Sequence, residues 1–237
     1  MPSAKSFLSA HPVGVYTCAR CVPVANGGRR VLQWRFHLER LAAGLAMDML
    51  LDDGLRGLLE GTSTSLQMKL VGMPLDVTDT RHRMLTVLWV GDDQTVSIHV
   101  HLCVMPQVSL EDAVTVLVHG APRDRPQCKH SKWITDREPL EQHMRHVEQS
   151  HATQLKLLEC ILHDDSNRLY EGLISNFFVV QDGAIYTAPQ DTVLPGSTRA
   201  QVLAACDALD IPVVLAAPRL ADVPRWRAAF LTSTCWR

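Results

Sequence analysis

Tyr170-Glu171-Gly172-Leu173-Ile174-Ser175-Asn176-Phe177-Phe178-Val179-Val180 is followed, a short way on, by Leu194-Pro195-Gly196-Ser197-Thr198-Arg199 and a helical pattern. The first stretch runs into a strand, Ser175 to Val180. Gln181-Asp182-Gly183 then closes it into a hairpin with Ala184 to Thr187, because Asp-Gly supplies the left-handed backbone a tight turn needs. In the second stretch Pro195-Gly196-Ser197-Thr198 reads as a turn feeding a helix, with its buried stripe expected at Val202, Leu203, Cys206 and Leu209. The first N–H groups of such a helix have no partner within it and its dipole is positive there. With two hydroxyls alongside, the turn suits a phosphate. Glu171 puts a carboxylate at a strand entrance, near that turn if the hairpin folds back over it. Taken alone, it also reads as an ordinary surface turn residue.

Toward the N-terminus, Val13 to Cys21 and Arg30 to Phe36 are rich in strand formers and flank Ala25-Asn26-Gly27-Gly28, so the opening reads as a hairpin. Phe36, Leu38, Leu41, Leu45, Met49 and Leu50 then recur with a helical period to about Leu51, where Asp52, Asp53 and Gly54 break it. His37, Glu39 and Arg40 lie near the start of that helix. Arg83 to Val90 and Thr95 to Val104 form a second hairpin around Gly91-Asp92-Asp93-Gln94. In its second strand Val96, Ile98, Val100 and Leu102 alternate with Ser97, His99 and His101. The two histidines share a face, but no third ligand is legible, and polar strand residues explain them without a metal. Cys18 and Cys21 have Cys-x-x-Cys spacing without the second ligand pair that zinc requires. No metal is expected.

Ala113 to Val118 is one more strand. Gly120 to Pro126, with two prolines and three charges, reads as a linker, dividing a smaller domain (1–119) from a larger one (128–237) with 120–127 between. Thr135 and Glu138 have capping-box spacing before a helix expected to reach about Cys160, with Pro139 tolerated in its first turn. His143, His146 and His151 fall on this helix among Glu141, Arg145 and Glu148, as a solvated face.

The 237 residues, 46% hydrophobic and 20% charged, suffice for a sizeable core. Lys plus Arg number 23 against 25 Asp plus Glu, a net charge of -2, which lacks the basic excess of a nucleic-acid binder. The longest apolar runs, such as Ile211 to Pro218, are far short of the roughly 20 residues that cross a bilayer. The seven cysteines are irregularly spaced, unlike a disulfide framework. These features point to a soluble, cytoplasmic protein without nucleic-acid or membrane partners.

A phosphate site with a carboxylate nearby suits pyridoxal 5'-phosphate, which needs an acid partner for its ring nitrogen and a lysine for its aldehyde. On this constellation the sequence resembles the fold-type IV pyridoxal-phosphate enzymes: branched-chain and D-amino-acid aminotransferases and 4-amino-4-deoxychorismate lyases. The resemblance spans about Gly14 to Cys235. It rests on Glu171-Gly172 with Ser175-Asn176-Phe177-Phe178, the Gly183 turn, Thr187-Ala188-Pro189 and Leu194-Pro195-Gly196-Ser197-Thr198-Arg199. His37-Leu38-Glu39-Arg40-Leu41 and Cys128-Lys129-His130 add to it.

The resemblance implies an α+β chain of two domains, D-amino-acid aminotransferase-like, with the cofactor in the cleft between them and a homodimer as the working form. It implies that Lys129 bonds the cofactor aldehyde and shuttles the proton of the substrate α-carbon, with Lys132 the alternative if the register differs. Glu171 would accept from the ring nitrogen, and Arg40, Ser197 and Thr198 would hold the phosphate. Thr234, in Thr232-Ser233-Thr234-Cys235, would serve phosphate or substrate carboxylate. Without the resemblance Lys129 and Arg40 read as surface charges. Two departures stand out: no tyrosine follows the lysine to meet the ring oxygen, and the sequence stops soon after Thr234, where relatives add C-terminal strands. The implied reaction is ping-pong transfer of an amino group between an amino acid and a 2-oxo acid. Release of pyruvate from aminodeoxychorismate is the alternative, and a member that keeps only the fold is a third reading.

Overall fold

A nine-residue run with apolar side chains on both sides lies inside the sheet of the first half of the chain. In the computed structural model, which describes residues 2–25, 28–49, 57, 60–66, 81–91, 95–105, 113–150 and 156–234, this run is strand β1 (Val15–Pro23). It pairs antiparallel with β2 (Arg29–Val31) on one side and β3 (Arg83–Gly91) on the other, and β3 pairs with β4 (Val96–Val104), giving the order β2-β1-β3-β4. Strand alternation sends Val15, Ala19 and Cys21 to one face, where they pack with Leu85, Val87 and Trp89 of β3 and with Leu41, Ala42 and Leu45 of helix α2 (Trp34–Met49). Tyr16 and Cys18 go to the other face, against Met84, Leu88 and Cys103, beneath Ala4 and Leu8 of α1 (Ala4–Ser9). The sheet is therefore covered on both sides, and each fully buried aliphatic side chain contributes about 1.5–3 kcal/mol. Trp89 is wholly buried and satisfies its indole N–H on the Thr62 hydroxyl at 2.7 Å.

The chain forms two compact units, one of residues 1–108, 128–135 and 234–237 and a second of 109–127 and 136–233. In the first unit, segment 128–135 docks on the start of β1: the Tyr16 amide donates to the Lys129 carbonyl and the Ser131 amide to the Gly14 carbonyl, both at 2.8 Å. In the second, β5 (Thr115–Val118) pairs in parallel with β6 (Leu157–His163), and β6 runs antiparallel to β7 (Leu169–Gly172). β8 (Asn176–Gln181) lies antiparallel to β7, to β9 (Ala184–Thr187) and to β11 (Trp226–Thr232). β10 (Val213–Leu215) is parallel to β9, the helix between them being α5 (Ser197–Ala208). Ile161, Leu169, Phe177 and Val179 form its core.

The pairing of β3 with β4 and the Asp182-Gly183 turn stand where the sequence places them, and the first hairpin does so except for the extent of its second strand. Asp182 and Gly183 adopt φ of 52° and 78°, the pair of left-handed residues that such a turn requires. Residues 26–27, 52–54, 92–94 and His151 lie outside the described residues. Four expectations need correction. The second strand ends at Val31, because Gln33 turns left-handed (φ 50°) and α2 begins at Trp34. Thr135 lies inside a short helix α3 (Trp133–Asp136), and the longer helix α4 (Glu138–Ser150) starts after Arg137, so Thr135 is not its cap. The helix does not reach Cys160: Leu157 to His163 is β6, a short, nearly continuous apolar run that satisfies a buried strand better than an amphipathic helix. Leu209 is 68% exposed rather than part of a buried stripe on α5, whose buried residues are Ser197, Arg199 and Cys206.

His99 and His101 do share a face of β4, and α1 covers it. His101 stacks on Phe7 at 4.9 Å between ring centres, and His99 meets His11 edge-on at 4.6 Å. His143 of α4 packs against His119 at 4.2 Å. Cys18, Cys21, Cys103, Cys128, Cys160 and Cys206 are all buried thiols.

Candidate functional site

Glu171 sits at the penultimate position of β7, just before the Leu173–Ser175 turn, and not at a strand entrance. The β6–β7 connection sets where that strand begins. Asp164 accepts from the amides of Ser166 and Arg168 and from the Arg168 guanidinium and Tyr170 hydroxyl, and the Arg168 amide first, then the Arg168 and Tyr170 side chains, hold its carboxyl down to about 2. The Glu171 side chain is 5% exposed, and both its oxygens are engaged. Oε1 accepts from Arg123 Nε at 2.8 Å, and Oε2 accepts from the Leu194 amide at 3.0 Å. Arg123, itself 7% exposed, is braced by donating Nη2 to the Pro126 carbonyl at 2.5 Å. The carboxylate is an acceptor on both oxygens, the kind of group a ring N–H requires.

Leu194 leads directly into the N-terminus of α5, so the structure brings Glu171 together with the phosphate-suited turn. Gly196 is the N-cap and so brings no side chain of its own to the first turn. Asn176 donates Nδ2 to the Leu194 carbonyl at 2.9 Å, and its Oδ1 lies where a Cβ on Gly196 would go. Ser197 is 1% exposed and Thr198 half-buried. Arg199, at 2% exposed, donates Nη2 to the Ala188 carbonyl at 3.0 Å, while its buried Nε has no hydrogen-bond partner among the described residues. Burial pushes the Arg199 guanidinium below its usual range, and the charge of Glu171 opposes this.

The first unit carries Arg40, Lys129 and Thr234. Arg40 on α2 donates Nη2 to the Thr17 hydroxyl at 2.7 Å, and that hydroxyl lies 2.8 Å from His37 Nδ1. Since Thr17 accepts from Arg40, its own proton is directed at Nδ1, which makes His37 the neutral Nε2–H tautomer. Burial, then the charges of Arg40 and Lys129, lower His37 to about 3. The half-buried Lys129 has Nζ 4.8 Å from the centre of the Tyr16 ring, whereas Lys132 is exposed. No tyrosine occupies the positions after Lys129; the His130 ring instead accepts from the Lys132 amide at 3.2 Å. Thr234 lies in a bend beyond β11, next to Ser233, whose hydroxyl donates to the Ile174 carbonyl at 3.0 Å.

Sequence reasoning missed Arg123, which looked like a linker charge, and Glu159, which looked like part of a helix. The partners that tie them to the site, Glu171 for Arg123 and the 173–175 turn for Glu159, are distant in the chain.

Residues 14–237 match the amino-transferase class IV family. The chain belongs to that family. Its members are pyridoxal-phosphate enzymes, aminotransferases or lyases. The chain is similar in fold to the branched-chain aminotransferase from Thermoproteus uzoniensis with norvaline (19% identity, 99% of this chain and 78% of that one, TM-score 0.69). It is also similar to the branched-chain amino acid aminotransferase of Escherichia coli (20%, 99% and 78%, TM-score 0.67). A third is a protein assigned as a 4-amino-4-deoxychorismate lyase from Legionella pneumophila (15%, 99% and 84%, TM-score 0.63). No curated protein sequence matches the chain. No helix among the described residues is long and apolar enough to cross a membrane.

Proposed function

We propose that this class IV chain is an aminotransferase that uses pyridoxal 5'-phosphate to move an amino group between an amino acid and a 2-oxo acid. The observation that carries the reading is the buried Glu171 carboxylate, anchored by Arg123 and the Leu194 amide beside the glycine-capped N-terminus of α5. That arrangement fits the cofactor's two polar ends. Glu171 offers a carboxylate acceptor for a ring nitrogen, and the Gly196 N-cap, bounded by Asn176 Oδ1, leads into the donors of Ser197 and Thr198.

When bound, pyridoxal phosphate supplies an electron sink through which an amino group leaves one substrate and enters the next. Lys129 would bond its aldehyde carbon and carry the proton to and from the substrate α-carbon on Nζ. Glu171 would keep the ring nitrogen protonated. Arg40, held by Thr17, would present its planar fork to the phosphate, with Ser197 and Thr198 adding donors and Thr234 a hydroxyl for phosphate or substrate carboxylate. A homodimer is part of the same reading. Release of pyruvate from 4-amino-4-deoxychorismate is the second reading, supported by likeness in fold to a protein assigned that activity.

The test is absorbance of the purified protein with added pyridoxal phosphate, then borohydride reduction and peptide mass mapping, with Lys129→Ala as control. A yellow protein labelled on Lys129 is expected; a colourless one, or a label on Lys132, contradicts the reading. Conversion of a 2-oxo acid by an amino donor, against pyruvate release without one, separates the two activities.

A further inference from the structure

Glu159 on β6 has no task in the proposed reaction, yet it is among the most completely bonded side chains of the second unit. It is 2% exposed. Oε1 accepts from the amides of Cys160 and Leu173, each at 3.0 Å, and Oε2 from the Ile174 amide at 3.2 Å and the Ser175 hydroxyl at 2.9 Å. Three of these donors are consecutive residues of the turn between β7 and β8. The carboxylate also packs against the backbone there: a Cβ on Gly172 would strike the Ser175 hydroxyl and the Glu159 side chain.

The turn is the joint between the two parts of the site in this unit. Glu171 on one side of it is paired with Asn176 on the other, and the Gly172 amide closes it by donating to the Ser175 carbonyl at 2.8 Å. Asn176 then holds the Leu194 carbonyl, the Leu194 amide holds Glu171, and Asn176 Oδ1 bounds Gly196. Hydrogen bonds and the short backbone stretches that join them therefore lead from Glu159 both to Glu171 and to Leu194, just before α5. We propose that Glu159 is a positioning residue that sets the separation between Glu171 and the α5 N-terminus, and so fits the ring contact and the phosphate contact to the same cofactor molecule. This rests on the functional reading above.

All four groups facing Glu159 are donors, so the ionised form, an acceptor on both oxygens, is the one the turn accommodates. Burial pushes its carboxyl upward, and the four hydrogen bonds oppose this only in part. An amide at this position must turn its NH₂ toward a donor and give up at least one bond.

The test compares the wild type, Glu159→Gln and the milder Ser175→Ala, which removes one donor and leaves the carboxylate in place. In cofactor-free protein, amide hydrogen exchange at Leu173, Ile174 and Leu194 accelerates in Glu159→Gln by about tenfold or more, the value of a lost bond to a charged group, and less in Ser175→Ala. Exchange at Val87 in the first unit stays unchanged. Affinity for pyridoxal phosphate falls by about tenfold, while affinities for pyridoxal alone and inorganic phosphate alone hold within about threefold, because each contact survives and only their spacing is lost. Unchanged exchange at Leu194 overturns the proposal, and so does equal weakening of pyridoxal, phosphate and pyridoxal phosphate. If Glu159→Gln does not fold, Ser175→Ala decides on the same readouts. A wild type that takes up no pyridoxal phosphate overturns the functional reading and with it the cofactor half of this proposal, whereas exchange at Leu194 still decides whether Glu159 sets the Leu194 turn.

Discussion

Arg123 and Glu171, 48 residues apart in sequence, form a 2.8 Å ion pair in which neither side chain is more than 7% exposed. Breaking such a pair strands a buried charge and costs about 3–5 kcal/mol, whereas replacing both partners by apolar groups of similar size costs far less. Chemical denaturation of cofactor-free protein should therefore show Arg123→Met and Glu171→Leu each strongly destabilised, with Arg123→Met/Glu171→Leu less destabilised than either. Full additivity of the two losses would mean that the pair carries no coupling.

His37 makes the first unit acid-sensitive. Its ring takes a proton near 6.5 in the unfolded chain and only near 3 in the folded one. Between those values the unfolded chain holds more protons, so stability is complete above pH 6.5 and falls as pH drops toward 3, by at most about 1.4 kcal/mol per pH unit. Urea midpoints from pH 7.5 to 4 should decline in the wild type and decline less in His37→Gln. Parallel curves would show that His37 is not the sensor.

Asn176 and Gly196 should behave as one unit. Gly196 has ordinary extended backbone, φ -72° and ψ 140°, so alanine there is resisted only by contact with Asn176. Gly196→Ala is expected to cost about 1–3 kcal/mol as overpacking. In an Asn176→Ala background, itself about 1 kcal/mol down from the lost bond to Leu194, the same change should cost little. A double-mutant cycle on melting temperature measures the difference.

What could be read from the sequence was local. The Asp182-Gly183 turn, the alternation of β4 and the glycine-led start of α5 are each decided by neighbouring residues, and they carry the family resemblance as well. Arg123 was illegible because its partner enters from another strand, and a charged residue between prolines looks like linker. Glu159 was hidden for a different reason: a short apolar run after a helix has no periodicity of its own to mark the change to strand. Leu209 shows the converse error, since a helical stripe states which residues share a face and not whether anything covers it.

The buried cysteines have a practical consequence. Burial, and the neighbouring charge of Glu159, push the Cys160 thiol up to about 11, and burial likewise raises Cys21 and Cys103. Thiolate is the form that alkylating reagents attack, so these groups stay silent until the surrounding strands open. Cys18, Cys21, Cys103 and Cys128 belong to the first unit, and Cys160 and Cys206 to the second. With Cys235 changed to serine, timed alkylation read by mass should gain four labels when the first unit opens and two when the second does. The chain thus carries its own clock for which half comes apart first.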